Sequence, residues 1–182
     1  MNLVLEEVGE GRKWTEILGQ EKACEVGTSY VTSINEGFQG IAKPPMGAFL
    51  TGVTGAGKNL YGEVFASQIA NATLFRATRE FMKKVSNYGQ ALLKALIEIA
   101  KEHKPAVILM DECEVYLKEK NSKNDPNPVA GHFKELVQTP KRDDPWPGYF
   151  VLAMTNHIKA IDPAIIRRLD ANPIVFVDLQ PK

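Results

Sequence analysis

The sequence predicts an α/β fold, a three-layer sandwich with a mainly parallel sheet and helices on both faces. Three observations carry this reading. Continuous apolar runs at 106–110, 149–154 and 174–177 have the composition of strands buried on both faces. Leu92, Leu93, Leu96, Ile97 and Ala100 form the stripe of an amphipathic helix. Helical and strand-like segments alternate along the chain, as parallel βαβ crossovers require.

Each element follows from its own residues. Periodicity places a helix over 20–36, and a Gly/Pro connector ends at Pro44-Pro45. Met46 to Leu50 is a short apolar strand; a Gly-rich turn and a helix over Leu60–Asn71 follow it. Thr73 to Ala77 reads as a second strand. The amphipathic helix over 90–103 stops at Pro105, which hands over to the strand Ala106–Met110. The polar stretch 119–128 leads to a helix near 129–138. A Pro-rich loop over 140–147 then separates that helix from the strand Tyr149–Met154, and Ile174–Val177 is the last strand.

Composition bounds the function. The 182 residues are 44% hydrophobic and 24% charged, the balance of a globular domain, which excludes a disordered or disulfide-stapled chain. Twenty-two basic side chains balance 22 acidic ones, so the basic excess of a constitutive nucleic-acid binder is missing. Two cysteines, Cys24 and Cys113, lack metal-ligand spacing and suit a reducing, cytoplasmic setting. No apolar run approaches the ~20 residues of a membrane span, and the N-terminus has no signal-peptide pattern. The expected organisation is one domain over 1–182, with 1–13 as an N-terminal extension and 14–178 as the core.

The first chemical signal is Gly52-Val53-Thr54-Gly55-Ala56-Gly57-Lys58-Asn59, a Gly-x-x-x-x-Gly-Lys run between a strand and a helix. Glycines let the backbone curl so that successive N–H groups face phosphate oxygens, and the helix N-terminus adds positive potential. Thr54, Gly55, Ala56, Gly57, Lys58, Asn59 and Leu60 are therefore the candidate phosphate-binding residues. The alternative, a Gly-rich surface turn with an incidental lysine, loses weight in this strand-to-helix context. Asn59 departs from the Ser or Thr whose hydroxyl ligates Mg²⁺ in such loops. An amide oxygen suits a hard cation, but its longer side chain places that oxygen differently.

The second signal is the strand Val107 to Met110 ending in Asp111-Glu112, at the sheet edge where open α/β sheets bind ligands. Asp111 would hold Mg²⁺ through water, and Glu112 would polarise the attacking water. Acidic residues also suit any helix N-terminus, but the phosphate loop 53 residues upstream favours the chemical role. Third, Asn156 follows the strand ending at Met154-Thr155, within reach of a water or a terminal phosphate; the bland reading is a turn cap. Fourth, Asp162-Pro163 has the form of a helix start, and that helix carries Arg167 and Arg168. Adjacent arginines are usually solvated charge, yet near a nucleotide they would neutralise a transferring phosphoryl group.

Together these elements resemble the AAA family of ATPases, nearest to the group containing katanin, spastin and fidgetin. Trp14 to Glu21 is similar to the family's leading segment, which implies that Ile17 and Gly19 line an adenine pocket. Gly52–Asn59 resembles Walker A, Val107–Glu112 resembles Walker B, and Met154-Thr155-Asn156 resembles the sensor-1 strand. Lys104-Pro105 before Walker B is also typical of the group. The resemblance implies a P-loop NTPase fold with ATP/ADP and Mg²⁺ as cofactors. It also implies hydrolase activity in a ring, usually a hexamer, with a protein substrate or adaptor. Arg167 and Arg168 would then act in trans, on a neighbour's nucleotide.

Two departures qualify it. The family's basic-aromatic-x-Gly pore loop falls on Lys84-Val85-Ser86-Asn87, where Val85 replaces the aromatic and Asn87 the glycine; Phe81 and Tyr88 would substitute only in a shifted register. The family's helical lid has no counterpart before the chain stops at Gln180-Pro181-Lys182, which predicts weak nucleotide affinity and little stable ring. The competing class is a nucleotide-binding scaffold or regulatory subunit with slow or no hydrolysis, favoured by Asn59 and Val85. Neutral charge counts against a DNA-replication relative, and the Asp-Glu strand with its trailing arginines counts against a small-molecule kinase.

Overall fold

In a computed structural model, the described residues are 4–7, 11–88, 90–118, 128–138, 140–141, 144–170 and 172–178. The apolar runs become parallel strands: β2 (Gly47–Gly52), β3 (Thr73–Ala77), β4 (Ala106–Met110), β5 (Tyr149–Thr155) and β6 (Ile174–Phe176). A further strand, β1 (Val4–Glu7), pairs antiparallel with β3, so the expected N-terminal extension contributes an edge strand. The sheet order is β1-β3-β4-β5-β2-β6. After β2 the chain crosses to β3 on one side, while β6 closes the other, so the winding direction reverses beside β2. Open α/β sheets bind ligands at such a switch point, outside the carboxyl ends of the strands. Here those ends are Gly52 of β2, Thr155 of β5 and Met110 of β4.

Both faces of the sheet are covered, which explains why its strands carry no polar alternation. On one face Ala48, Leu50, Leu74, Leu109 and Leu152 pack with α1 (Glu21–Asn35) and α2 (Lys58–Ser67). On the other, Phe49, Phe75, Ile108 and Val151 meet four helices. These are α3 (Arg79–Tyr88), α4 (Gln90–Glu102), α5 (Pro128–Leu136) and α6 (Pro163–Leu169). Each fully buried Leu or Phe is worth about 1.5–3 kcal/mol, against about 1 kcal/mol net for a typical hydrogen bond. Apolar burial therefore fixes the sheet, and polar contacts at its edge only position side chains.

The largest boundary difference from expectation falls on one helix. The helix after the Gly-rich turn begins at Lys58 and ends at Ser67, whereas the pattern suggested Leu60 to Asn71. Gly57, with φ of 89°, breaks the chain direction early enough to start the helix there. At the other end Ile69 N–H bonds back only to Ala66, and Asn71 turns left-handed with φ of 57°, which closes the helix.

The segment matched to a pore loop is instead helical. Thr78 starts α3, its Oγ1 accepting from Phe81 N–H at 3.2 Å, and Phe81, Met82 and Val85 are all buried in the core. Val85 therefore packs inward, while Lys83 and Lys84 face solvent. The polar stretch 119–127 and the chain end at 179–182 lie outside the described residues.

Candidate functional site

The loop after β2 is built by glycine. Gly52 has φ of 144°, and a Cβ there would stand 2.5 Å from the Phe176 carbonyl oxygen, so only glycine lets β2 pair with β6 and still turn away. The Lys58 side chain folds back into this loop. Its ammonium donates to Gly52 O at 2.9 Å, to Val53 O at 2.8 Å and to Asn156 Oδ1 at 2.9 Å. These contacts use all three ammonium donors. Burial lowers the Lys58 pKa from its ordinary range, while the charges of Asp111 and Glu114 pull it back up. A phosphate oxygen would compete well for these donors, because two opposite unit charges in contact add a Coulomb attraction that a neutral carbonyl does not offer the ammonium.

Asn156 follows β5, next to β2 in the sheet, and joins the loop from the far side. Its Nδ2 donates to Thr54 Oγ1 at 3.0 Å. One amide thus spans Thr54 and Lys58. The sequence suggested Asn156 on the strength of its position alone, and the fold brings it to the loop.

Asp111 and Glu112 leave the end of β4, the strand next to β5. Asp111 Oδ1 accepts from Glu112 N–H at 2.8 Å. Glu112 has φ of 50°, a left-handed conformation that costs a non-glycine residue about 1–3 kcal/mol. It caps the short 3-10 turn Cys113–Val115. A cavity of about 290 Å³ opens here, lined among others by Asn59, Arg76, Thr78, Asp111, Glu112 and Met154.

Asn59 and Asp111 share this cavity and offer it an amide oxygen and a carboxylate. Mg²⁺ in nucleotide sites takes one or two such protein groups and completes its shell with phosphates and water. The donor set fits that metal in kind. Arg76 was missed in the sequence, although an arginine inside the apolar run Thr73-Leu74-Phe75-Arg76-Ala77 is the signal that could have found it.

The leading segment is tied to the same side of the sheet. Gln20 accepts from Val177 N–H at 2.9 Å and donates to Val177 O at 2.8 Å, which pins the segment beside the end of β6. Ile17 is buried in the cluster that holds Tyr61 and Phe176, and Gly19 turns with φ of 67°. Trp14 packs against Tyr61 with ring centres 5.1 Å apart.

Arg167 and Arg168 stand apart. Their helix α6 is capped by Asp162, whose Oδ1 accepts from Ala164 N–H at 2.8 Å, and is held to α5 by the Lys134–Asp162 ion pair. Ile165 and Leu169 are buried, whereas Arg167 is exposed and Arg168 half-exposed. Neither arginine lines the cavity within this chain.

No described helix is long and apolar enough to cross a membrane. Cys24 and Cys113 are free thiols, and burial pushes the Cys113 thiol well above its ordinary range.

Comparison with known proteins agrees with the geometry. Residues 48–177 match the family "ATPase family associated with various cellular activities (AAA)". Spastin of Drosophila melanogaster is 29% identical over 191 residues, which cover 98% of this chain and 24% of the relative. Spastin of Drosophila persimilis is 30% identical over the same shares. The chain therefore spans about a quarter of the length of these curated relatives. Among solved structures, the FIGL-1 AAA domain in complex with ADP superposes with a TM-score of 0.71 at 26% identity. That match covers 94% of this chain and 57% of the other.

Proposed function

The chain belongs to the AAA family of ATPases, and from that premise we propose that it binds ATP on the Gly52–Asn59 loop and hydrolyses it between subunits of a ring that remodels protein substrates. The observation that supports this most directly is the convergence of Lys58, Asn156 and Thr54 at the ends of β2 and β5, with Asp111 and Glu112 on the adjoining strand end. In this reading Thr54 to Leu60 cradle the phosphates, and Lys58 exchanges its loop carbonyls for phosphate oxygens. Glu112 orients the attacking water and accepts its proton, while Asn156 hydrogen-bonds the terminal phosphate. Asn59 and Asp111 hold Mg²⁺, which when bound neutralises phosphate charge. Ile17 and Gly19 contact the adenine.

Arg167 and Arg168 serve a neighbouring subunit's nucleotide, in keeping with their not lining this chain's own cavity. The assembly is a ring, a hexamer by family analogy, and it acts on a protein partner.

A second reading, a nucleotide-binding scaffold with slow or no hydrolysis, is favoured by Asn59 in the metal-ligand position and by Val85, which is buried and offers no grip to a threaded chain. Nucleotide affinity and phosphate release, measured on the protein and on Glu112→Gln, separate the two. Turnover that disappears in Glu112→Gln while ATP still binds supports the ATPase. Binding with no Glu112-dependent turnover supports the scaffold.

A further inference from the structure

Arg76 places a positive charge on the wall of the cavity that also holds Asn59 and Asp111. Its direction follows from the strand. Leu74 points to the α2 face of the sheet and Phe75 to the other, so Arg76, two residues beyond Leu74, points to the α2 face as well. Across the ladder Arg76 stands opposite Leu109, and Asp111 follows Leu109 by two residues on the same face. From above, α2 presents Asn59 and Glu63, four residues apart and therefore on one side of the helix. Arg76 is ion-paired with Glu63, whose other oxygen meets Arg12 at 3.1 Å. The guanidinium thus lies between a structural carboxylate and the end of the cavity where Asp111 and Glu112 emerge.

We propose that Arg76 is a phosphate-binding residue of this chain's own site, which contacts the terminal phosphate of ATP and makes nucleotide binding less dependent on Mg²⁺. The proposal rests on the nucleotide-site reading above. Asn59 and Arg76 make sense as a pair. Where the loop lacks its hydroxyl metal ligand, a fixed guanidinium on the same cavity supplies positive charge that needs no metal. Guanidinium also matches phosphate in geometry, with two parallel N–H donors for two oxygens. Glu63 acts as the resting partner, and bound phosphate competes with it for Arg76.

The test is calorimetric titration of ATP and of ADP, each with Mg²⁺ and with EDTA, into the wild type, Arg76→Gln and Glu63→Gln. The wild type is expected to keep ATP affinity within about tenfold on removal of Mg²⁺. In EDTA, Arg76→Gln should weaken ATP by about tenfold or more, the range of a hydrogen bond to a charged group, and ADP by much less. Glu63→Gln breaks the same ion pair but keeps the guanidinium and takes a competing negative charge from beside it, so ATP affinity should hold or rise.

A merely bracing Arg76 predicts the reverse: both variants would lose ATP and ADP affinity alike. An unchanged ratio of ATP to ADP affinity in Arg76→Gln overturns the assignment of Arg76 alone. A wild type that binds neither nucleotide overturns the site reading and the assignment together.

Discussion

Lys58 of α2 and Asn156 at the end of β5, 98 residues apart in sequence, meet in a 2.9 Å hydrogen bond at the reversal point of the sheet. The same amide holds Thr54 at 3.0 Å, so the phosphate loop is braced against β5 at two positions. Asn156→Asp should turn this brace into a lock. A carboxylate beside Lys58 favours the charged ammonium and so raises the pKa that burial lowers. It also repels phosphate. Thermal stability should be kept or raised, while ATP affinity falls about tenfold or more, the scale of a lost charge-assisted contact. Equal ATP affinity in titrations of the two proteins would remove Asn156 from the site.

Asn59→Thr tests the metal side. Threonine shortens the side chain and restores a hydroxyl at the first turn of α2, on the cavity that Asp111 shares. Phosphate release in Mg²⁺ should rise, and ATP binding should become more sensitive to EDTA. If the turnover of Asn59→Thr matches the wild type, Asn59 is not what limits the chemistry.

Val85 is wholly buried between α3 and the core, so its contribution is packing. Val85→Ala should cost about 2 kcal/mol, between the ranges for Ile→Val and Leu→Ala in cores. Lys84→Ala, on the exposed side of the same helix, should stay within about 0.5 kcal/mol. Urea denaturation of the two variants gives the comparison. A neutral Val85→Ala would contradict the helix and reopen the segment as a loop.

Much of this was legible in the sequence because buried parallel strands and glycine-rich turns leave strong local marks. Ala106–Met110 could be delimited to the residue, since Pro105 and Asp111 bound an unbroken apolar run. The convergence of Thr54, Lys58, Asp111 and Asn156 could be expected from their places at strand ends. What escaped has no local mark. Val4–Glu7 is four residues long and becomes a strand only because β3 offers it an edge. The stripe Phe81, Met82, Val85 was hidden by the basic pair beside it. Arg76 acquires meaning only when β3 lies next to β4 and under α2.

Asp162 links α6 to α5 and titrates in acid. Burial raises its pKa, but the Lys134 ammonium and the Ala164 N–H outweigh that effect, and the net shift is downward from 3.8. A carboxyl with a depressed folded-state pKa adds stability that is complete above its unfolded value and disappears as pH falls through the folded one. Asn at this cap still accepts from Ala164 N–H but lacks the charge. Wild type should therefore melt above Asp162→Asn at pH 6, and the gap should close below about pH 3.8, as linkage requires. A gap that is independent of pH would assign the difference to capping alone.

Gly27 on α1 sets how closely the leading segment approaches the core. A Cβ there would stand 2.3 Å from Tyr61 Oη and 2.6 Å from Trp14 Cη2. Tyr61 cannot retreat. It is fully buried, its hydroxyl donates to Ala23 O at 2.7 Å, and its ring lies edge-on to Phe176 at 5.2 Å. Trp14 must move instead, and with it the start of the segment that carries Ile17 and Gly19. Replacing glycine by alanine inside a helix ordinarily adds about 0.5–1 kcal/mol of stability. Overpacking here should cost about 1–3 kcal/mol and decide the sign. Gly131→Ala on α5 is the control, because a Cβ there meets nothing within 4 Å. Gly131→Ala should raise the melting temperature and Gly27→Ala should lower it. If Ile17 and Gly19 contact adenine, Gly27→Ala should also weaken ATP while leaving the affinity for inorganic triphosphate, which has no base, as it was.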